Sequence, residues 1–138
     1  MASFWRGKTM PETSRRILLA EDDRLLRKAA EATLKRKGFT VFTAEDGEEA
    51  FRVAKAELPD LVLLDLIMPK RQGFDVLHDL KGCPETAHIP VIVLSNLGQE
   101  RDIQQAMESG AVAYYIKANL SLADLAKRVE EALQGGQS

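Results

Sequence analysis

Residues 61–69 read LVLLDLIMP: four consecutive apolar residues, then Asp65, then three more before Pro69. An apolar run without polar alternation suits a strand covered on both faces. A carboxylate at the end of such a strand has two explanations. Aspartate is a good turn former that bonds nearby backbone N–H groups, or the carboxylate does chemistry at an edge. The neighbouring runs decide between them.

Four other runs share this character: RILLA (16–20), TVFTA (40–44), VIVLS (91–95) and AYYIK (113–117). With LVLLD (61–65) they make five candidate strands, each bounded by turn residues or charges. Segments with helical spacing lie between them. The first runs from Arg24 to Lys37, with Leu26, Ala29, Ala30 and Thr33 on one face and Gly38 at its stop. The second opens on DGEE, where Asp46 caps and Glu49 answers it as a capping box. A short third segment covers about Gly73 to Lys81, and a fourth presents Ile103, Ala106 and Met107 before Gly110. The last opens on SLAD, a second capping box, and carries the stripe Leu122, Leu125, Ala126, Val129, Ala132 and Leu133. Strand–helix alternation repeated in this way predicts an α/β fold with a parallel sheet and helices on both faces.

Composition sets outer limits. The 138 residues suit one domain with a real core, and 45% hydrophobic with 29% charged residues is ordinary for a globular chain. A net charge of −2 argues against a direct nucleic-acid surface. Cys83 is the single cysteine, which excludes an internal disulfide and fits a reducing, cytoplasmic compartment. No apolar run reaches membrane-spanning length. The expected division is an extension over 1–14, a domain over 15–134 and a tail over 135–138. Phe4 and Trp5 in the extension, and the isolated His78 and His88, are read as carrying no site.

In an open parallel sheet, ligands bind beyond the carboxyl ends of the strands. Glu21, Asp22 and Asp23 follow the first strand, Asp65 ends the third, Ser95 ends the fourth and Lys117 ends the fifth. Clustered carboxylates repel and favour a bound cation. All-oxygen ligands with few carboxylates suit Mg²⁺ or, in its place, Mn²⁺. An aspartate beside such an ion can act as a nucleophile toward phosphorus, giving an aspartyl phosphate. A lysine and a serine hydroxyl would then stabilise charge on the phosphoryl oxygens. Asp23 is read as a helix cap rather than a ligand.

The stretches RILLAEDDRLLR, LVLLDLIMPKRQGFDVL, IPVIVLSN and GAVAYYIKA closely resemble the receiver domain of bacterial two-component response regulators. The resemblance covers about residues 15–134 and implies a flavodoxin-like, doubly wound (βα)5 fold with strand order 2-1-3-4-5. Carried over by position, Asp65 is the phosphoacceptor and Glu21 and Asp22 are the acidic pair. Asp22 then binds the metal directly, Glu21 acts through water, and the backbone carbonyl of Ile67 is a further ligand. Ser95 and Lys117 complete the reacting set, and Tyr114 is the aromatic switch, with Tyr115 as its nearest rival. Ile67 and Leu97 flank the path of hydrolytic water, implying slow self-dephosphorylation. The family usually has proline after this lysine; Ala118 stands here, so the Lys117–Ala118 bond is trans unless its surroundings enforce cis.

The implied partners are a histidine kinase or histidine phosphotransfer protein and a downstream target protein. The target would meet a surface made by the fourth helix, fifth strand and fifth helix. With no output domain after Leu133, the chain is expected to act as a stand-alone switch, a monomer or a phosphorylation-dependent dimer, and not as an enzyme on other substrates. Three other readings compete. A degenerate interaction module would lack part of the acidic, aspartate and lysine set. A phosphohydrolase would carry a second aspartate where Ile67 stands. A DNA-binding regulator would require this to be part of a longer chain.

Overall fold

The computed structural model describes residues 14–135. The strands are β1 (Arg16–Ala20), β2 (Thr40–Ala44), β3 (Leu61–Leu64), β4 (Val91–Ser95) and β5 (Ala113–Ile116). The helices are α1 (Arg24–Arg36), α2 (Gly47–Glu57), α3 (Gly73–Gly82), α4 (Glu100–Glu108) and α5 (Leu122–Gly135). All strand pairings are parallel, in the order β2-β1-β3-β4-β5. This is the expected doubly wound α/β arrangement, with every strand where the apolar runs put it.

Period-two alternation divides the inner strands between two cores. Ile17, Leu19, Leu61, Leu63, Ile92 and Leu94 pack with α1 and α5 residues such as Leu34, Leu125 and Val129. Leu18, Ala20, Val62, Leu64, Val91 and Val93 pack on the other face with Ala50, Ala54, Val76, Leu77 and Ala106 from α2, α3 and α4. The strands are apolar throughout because both faces are covered.

The helix ends follow the capping logic with local differences. The Asp23 side chain accepts from Leu26 N–H at 3.1 Å, which is the cap read for it. Asp46 caps α2 through Glu49 N–H at 2.8 Å, but Glu49 Oε1 accepts from Glu45 N–H at 2.7 Å rather than from the cap residue. Ser121 Oγ accepts from Asp124 N–H at 3.0 Å at the start of α5. Gly38 and Gly110 hold φ of +99° and +111° just past α1 and α4, the left-handed conformation that ends a helix cheaply only at glycine.

Three expectations, at Met107, Ser14 and Gly135, are corrected, and others at single residues hold. Met107, placed on the apolar face of α4, is 42% exposed because Ala106 alone turns that helix onto the core. Ser14, assigned to the extension, donates from Oγ to Gly38 O at 2.9 Å and so belongs to the folded unit. Gly135, assigned to the tail, is the last residue of α5. No peptide bond among the described residues is cis, so Lys117–Ala118 is trans. Phe4 and Trp5 lie outside the described residues; His78 and His88 are exposed, as surface residues should be.

Two glycines set the position of the loop after β3. A Cβ at Gly73 would overlap Asp65 O and Leu66 Cα, and one at Gly47 would overlap Arg71 O. Gly73 N–H donates to Leu66 O at 2.9 Å and Gly47 N–H to Pro69 O at 3.2 Å, so both contacts are bonded close approaches. Gly73→Ala is expected to force the Asp65 loop outward and to destabilise the fold by about 1–3 kcal/mol, as overpacking does. Urea denaturation measures the loss, and amide NMR shifts confined to residues 64–74 would identify its origin.

Candidate functional site

Asp65 stands one residue past β3 and is 4% exposed. Its backbone N–H donates to Ala20 O at 3.1 Å, which holds it beside the end of β1. Its Oδ1 accepts from Ile67 N–H at 3.1 Å, so the local turn interaction that aspartates favour is present. Its Oδ2 accepts from Lys117 Nζ at 2.8 Å, across 52 residues of sequence. The second bond is not a turn interaction. It joins the carboxyl ends of β3 and β5.

Lys117 begins a short 3₁₀ turn (Lys117–Asn119) directly after β5. Its Nζ also pairs with Glu21 Oε1 at 2.6 Å. Glu21 is only 2% exposed, and its Oε2 accepts from Asp23 N–H at 3.0 Å. Burial raises the Glu21 carboxyl above its ordinary pKa, with the Lys117 hydrogen bond opposing that rise only in part. Burial works against the Lys117 ammonium, yet its bonds to Asp65 and Glu21 prevail and raise its pKa. The lysine is therefore firmly charged.

Asp22 is exposed and faces the same edge. One carboxylate oxygen from each of Glu21, Asp22 and Asp65 lies within 4.8 Å of the others. Three carboxylates against one ammonium leave an excess of negative charge, and the donors are all oxygen. That donor set fits a small hard cation such as Mg²⁺.

Ser95 is the last residue of β4 and fully buried, and its Oγ accepts from Leu97 N–H at 3.2 Å. Tyr114 Oη donates to Leu97 O at 2.6 Å. Tyr114 packs with the α2, α3 and α4 core, whereas Tyr115 packs on the α1 and α5 side, with the Arg128 guanidinium 5.9 Å from its ring centre. Tyr114 is thus the tyrosine bonded to the Ser95 segment. Of the two flanking apolar residues, Ile67 is 55% exposed and Leu97 is half-buried.

Sequence reasoning missed three contributors here. Gly47 and Gly73 carry no signal in sequence that distinguishes a close approach from a helix start. Arg27 draws no notice from its charge alone, yet it is buried and bonded to the Glu21 carbonyl.

A family model for the response regulator receiver domain matches residues 17–130. The chain belongs to the response regulator receiver domain family. Receiver domains of this family are phosphoacceptor switches in two-component signalling. The gliding motility regulatory protein of Myxococcus xanthus is 38% identical over 115 residues, covering 83% of this chain and 15% of that protein. The transcriptional regulatory protein PdtaR of Mycobacterium tuberculosis is 34% identical over 120 residues, covering 86% of this chain and 57% of that protein. This receiver therefore spans 15% and 57% of the lengths of these two relatives. A receiver domain of a histidine kinase from Syntrophus aciditrophicus superposes with a TM-score of 0.80 at 31% identity, covering 88% of this chain and 92% of the other. A CheY-like receiver protein from Methanospirillum hungatei shares the fold, with a TM-score of 0.84 at 22% identity and coverage of 91% and 98%. Among the described residues no helix is long and apolar enough to cross a membrane.

A cation held by these carboxylates binds the folded receiver and not the unfolded chain, so it raises stability by mass action. The melting temperature is expected to climb with millimolar Mg²⁺, and Asp22→Ala is expected to remove most of that climb. Differential scanning fluorimetry across a Mg²⁺ series is the check. A parent protein indifferent to the ion would refute the site.

Proposed function

We propose that Asp65 accepts a phosphoryl group from the phosphohistidine of a sensor kinase or histidine phosphotransfer protein. An Asp65 carboxylate oxygen attacks phosphorus, the P–N bond breaks, and the electron pair leaves with the histidine nitrogen. The observation that carries this reading is the Lys117 ammonium, 2.8 Å from Asp65 Oδ2 and 2.6 Å from Glu21 Oε1 at a buried strand edge. A fixed, desolvated cation beside the acceptor stabilises charge on transferring phosphoryl oxygens far better than a solvated one.

Glu21, Asp22, Asp65 and the Ile67 carbonyl would hold Mg²⁺, Asp22 directly and Glu21 through water. When bound, Mg²⁺ would neutralise charge on the incoming phosphoryl oxygens. The Ser95 hydroxyl, whose oxygen accepts from Leu97 N–H, keeps its own proton to donate to a phosphoryl oxygen. Its movement toward that oxygen loosens the bond to Leu97, and Leu97 is also held by Tyr114. Serine capture is thereby transmitted to the tyrosine and to the α4, β5 and α5 surface, where Met107 and Val112 are already 42% and 51% exposed. That surface meets a downstream protein in the cytoplasm. The phosphohydrolase alternative is not favoured, since Ile67 occupies the position of its second carboxylate.

Acetyl phosphate with Mg²⁺ is expected to add one phosphoryl group, seen by intact mass, and Asp65→Asn is expected to abolish it. An adduct that persists in Asp65→Asn would overturn the assignment.

Lifetime follows from the residues beside the acceptor. Hydrolysis needs a water held in line with the P–O bond. Ile67 and Leu97 have side chains that cannot hydrogen bond such a water, so slow self-dephosphorylation is expected. The double substitution Ile67→Asn with Leu97→Glu is expected to speed loss of the adduct several-fold, followed by mass or by Phos-tag electrophoresis. Loss within seconds in the parent would contradict the apolar gate.

A further inference from the structure

Arg27 is a buried cation that the proposed chemistry does not use. It lies on the second turn of α1 and is 8% exposed. Its Nη1 donates to Glu21 O at 2.9 Å and to Asp22 O at 3.3 Å. Its Nη2 is 3.7 Å from Glu45 Oε2 on the loop after β2. One guanidinium therefore grips the backbone of both acidic residues and reaches the neighbouring loop.

The grip matters because the acidic residues are anchored unequally. Glu21 is fixed through its side chain by Lys117 and Asp23 N–H, and Asp23 by its cap bond to Leu26 N–H. Among the described residues Asp22 has no side-chain hydrogen bond or ion pair; what holds it is its carbonyl on Arg27. The connection from β1 to α1 contains only Glu21, Asp22 and Asp23, so the direction of the Asp22 side chain follows its backbone closely. The guanidinium also places positive charge against the backbone of the acidic residues, while none of its bonds uses their carboxylates.

We propose that Arg27 is a positioning residue which, by clamping the Glu21 and Asp22 carbonyls, aims the Asp22 carboxylate and sets the Mg²⁺ affinity of the acidic cluster. The inference rests on the reading of that cluster as a Mg²⁺ site. Two properties of arginine are used: a positive charge, and a planar fork whose N–H groups can serve two carbonyls at once. Lysine supplies the first and not the second.

The experiment is a Mg²⁺ titration of the full chain by amide NMR, giving a Kd for the parent, Arg27→Met and Arg27→Lys, with melting temperatures in EDTA beside it. Loss of an outer partner of a metal ligand typically weakens affinity by about 10–100-fold, so Arg27→Met is expected to raise the Mg²⁺ Kd at least that far. Arg27→Lys keeps charge and stem, so the fold stays testable, and it is expected to remain several-fold weaker than the parent. A parent Kd in both variants, with only the melting temperature lowered, makes Arg27 a structural residue and overturns the inference. Full rescue by lysine overturns the positioning argument in favour of charge alone. A parent that binds no Mg²⁺ overturns the metal site itself, and this inference with it.

Discussion

Lys117 ties together three strands that the chain visits far apart. Its ammonium bonds Glu21 after β1 and Asp65 after β3, while its own backbone leaves β5. In the strand order β2-β1-β3-β4-β5 this requires the lysine to reach past the end of β4. Two carboxylates less than 5% exposed would be costly to hold side by side in the absence of that cation. One ammonium does not balance two carboxylates, and Asp22 adds a third to the same edge. The fold thus holds three clustered carboxylates at one edge, an arrangement that works against stability unless a cation is bound there.

The backbone around the site shows the same trade. The loop from Asp65 to Gln72 is pressed against the start of α3 by Gly73 and against the start of α2 by Gly47. Lys70 in that loop takes a positive φ of 69°, which a side chain rarely adopts, with its Nζ 3.6 Å from Asp46. Tight approach at both ends leaves the backbone that carries Asp65 little freedom beside Lys117. Preorganisation of this kind gives electrostatic stabilisation its strength, because no rearrangement is needed as charge develops.

The sheet, and the gathering of Asp65 and Lys117 at its carboxyl edge, were legible because they rest on strong local signals. Apolar runs of strand length locate β1 to β5, and Asp65 and Lys117 each fall one residue beyond the strand that delivers them. What was not legible depends on tertiary partners. Met107 has the spacing of a buried residue and is exposed, since the sheet offers α4 a narrow contact centred on Ala106. Arg27 has the charge of a surface residue and is buried, since two carbonyls three-dimensionally near it accept its protons. Glu49 bonds Glu45 N–H instead of the cap residue. Periodicity tells which face a residue occupies; it does not tell what waits opposite.

The two members of the acidic pair divide their work by saturation. Glu21 uses Oε1 for Lys117 and Oε2 for Asp23 N–H, so each oxygen is already engaged. Asp65 uses Oδ2 for Lys117 and Oδ1 for Ile67 N–H. A carboxylate has about four acceptor positions, so both residues retain capacity, but a ligand that takes it must share or displace an existing bond. Asp22, exposed and anchored through its backbone, has both carboxylate oxygens unengaged among the described residues, so a ligand displaces no existing bond there. Any species that draws Lys117 toward itself leaves Glu21 buried without its cation, and a positive charge close to Glu21 restores the balance. If Asp65 accepts a phosphoryl group as proposed, a group that attracted the ammonium would leave the buried Glu21 uncompensated, and a divalent cation held at the acidic cluster would offset that charge.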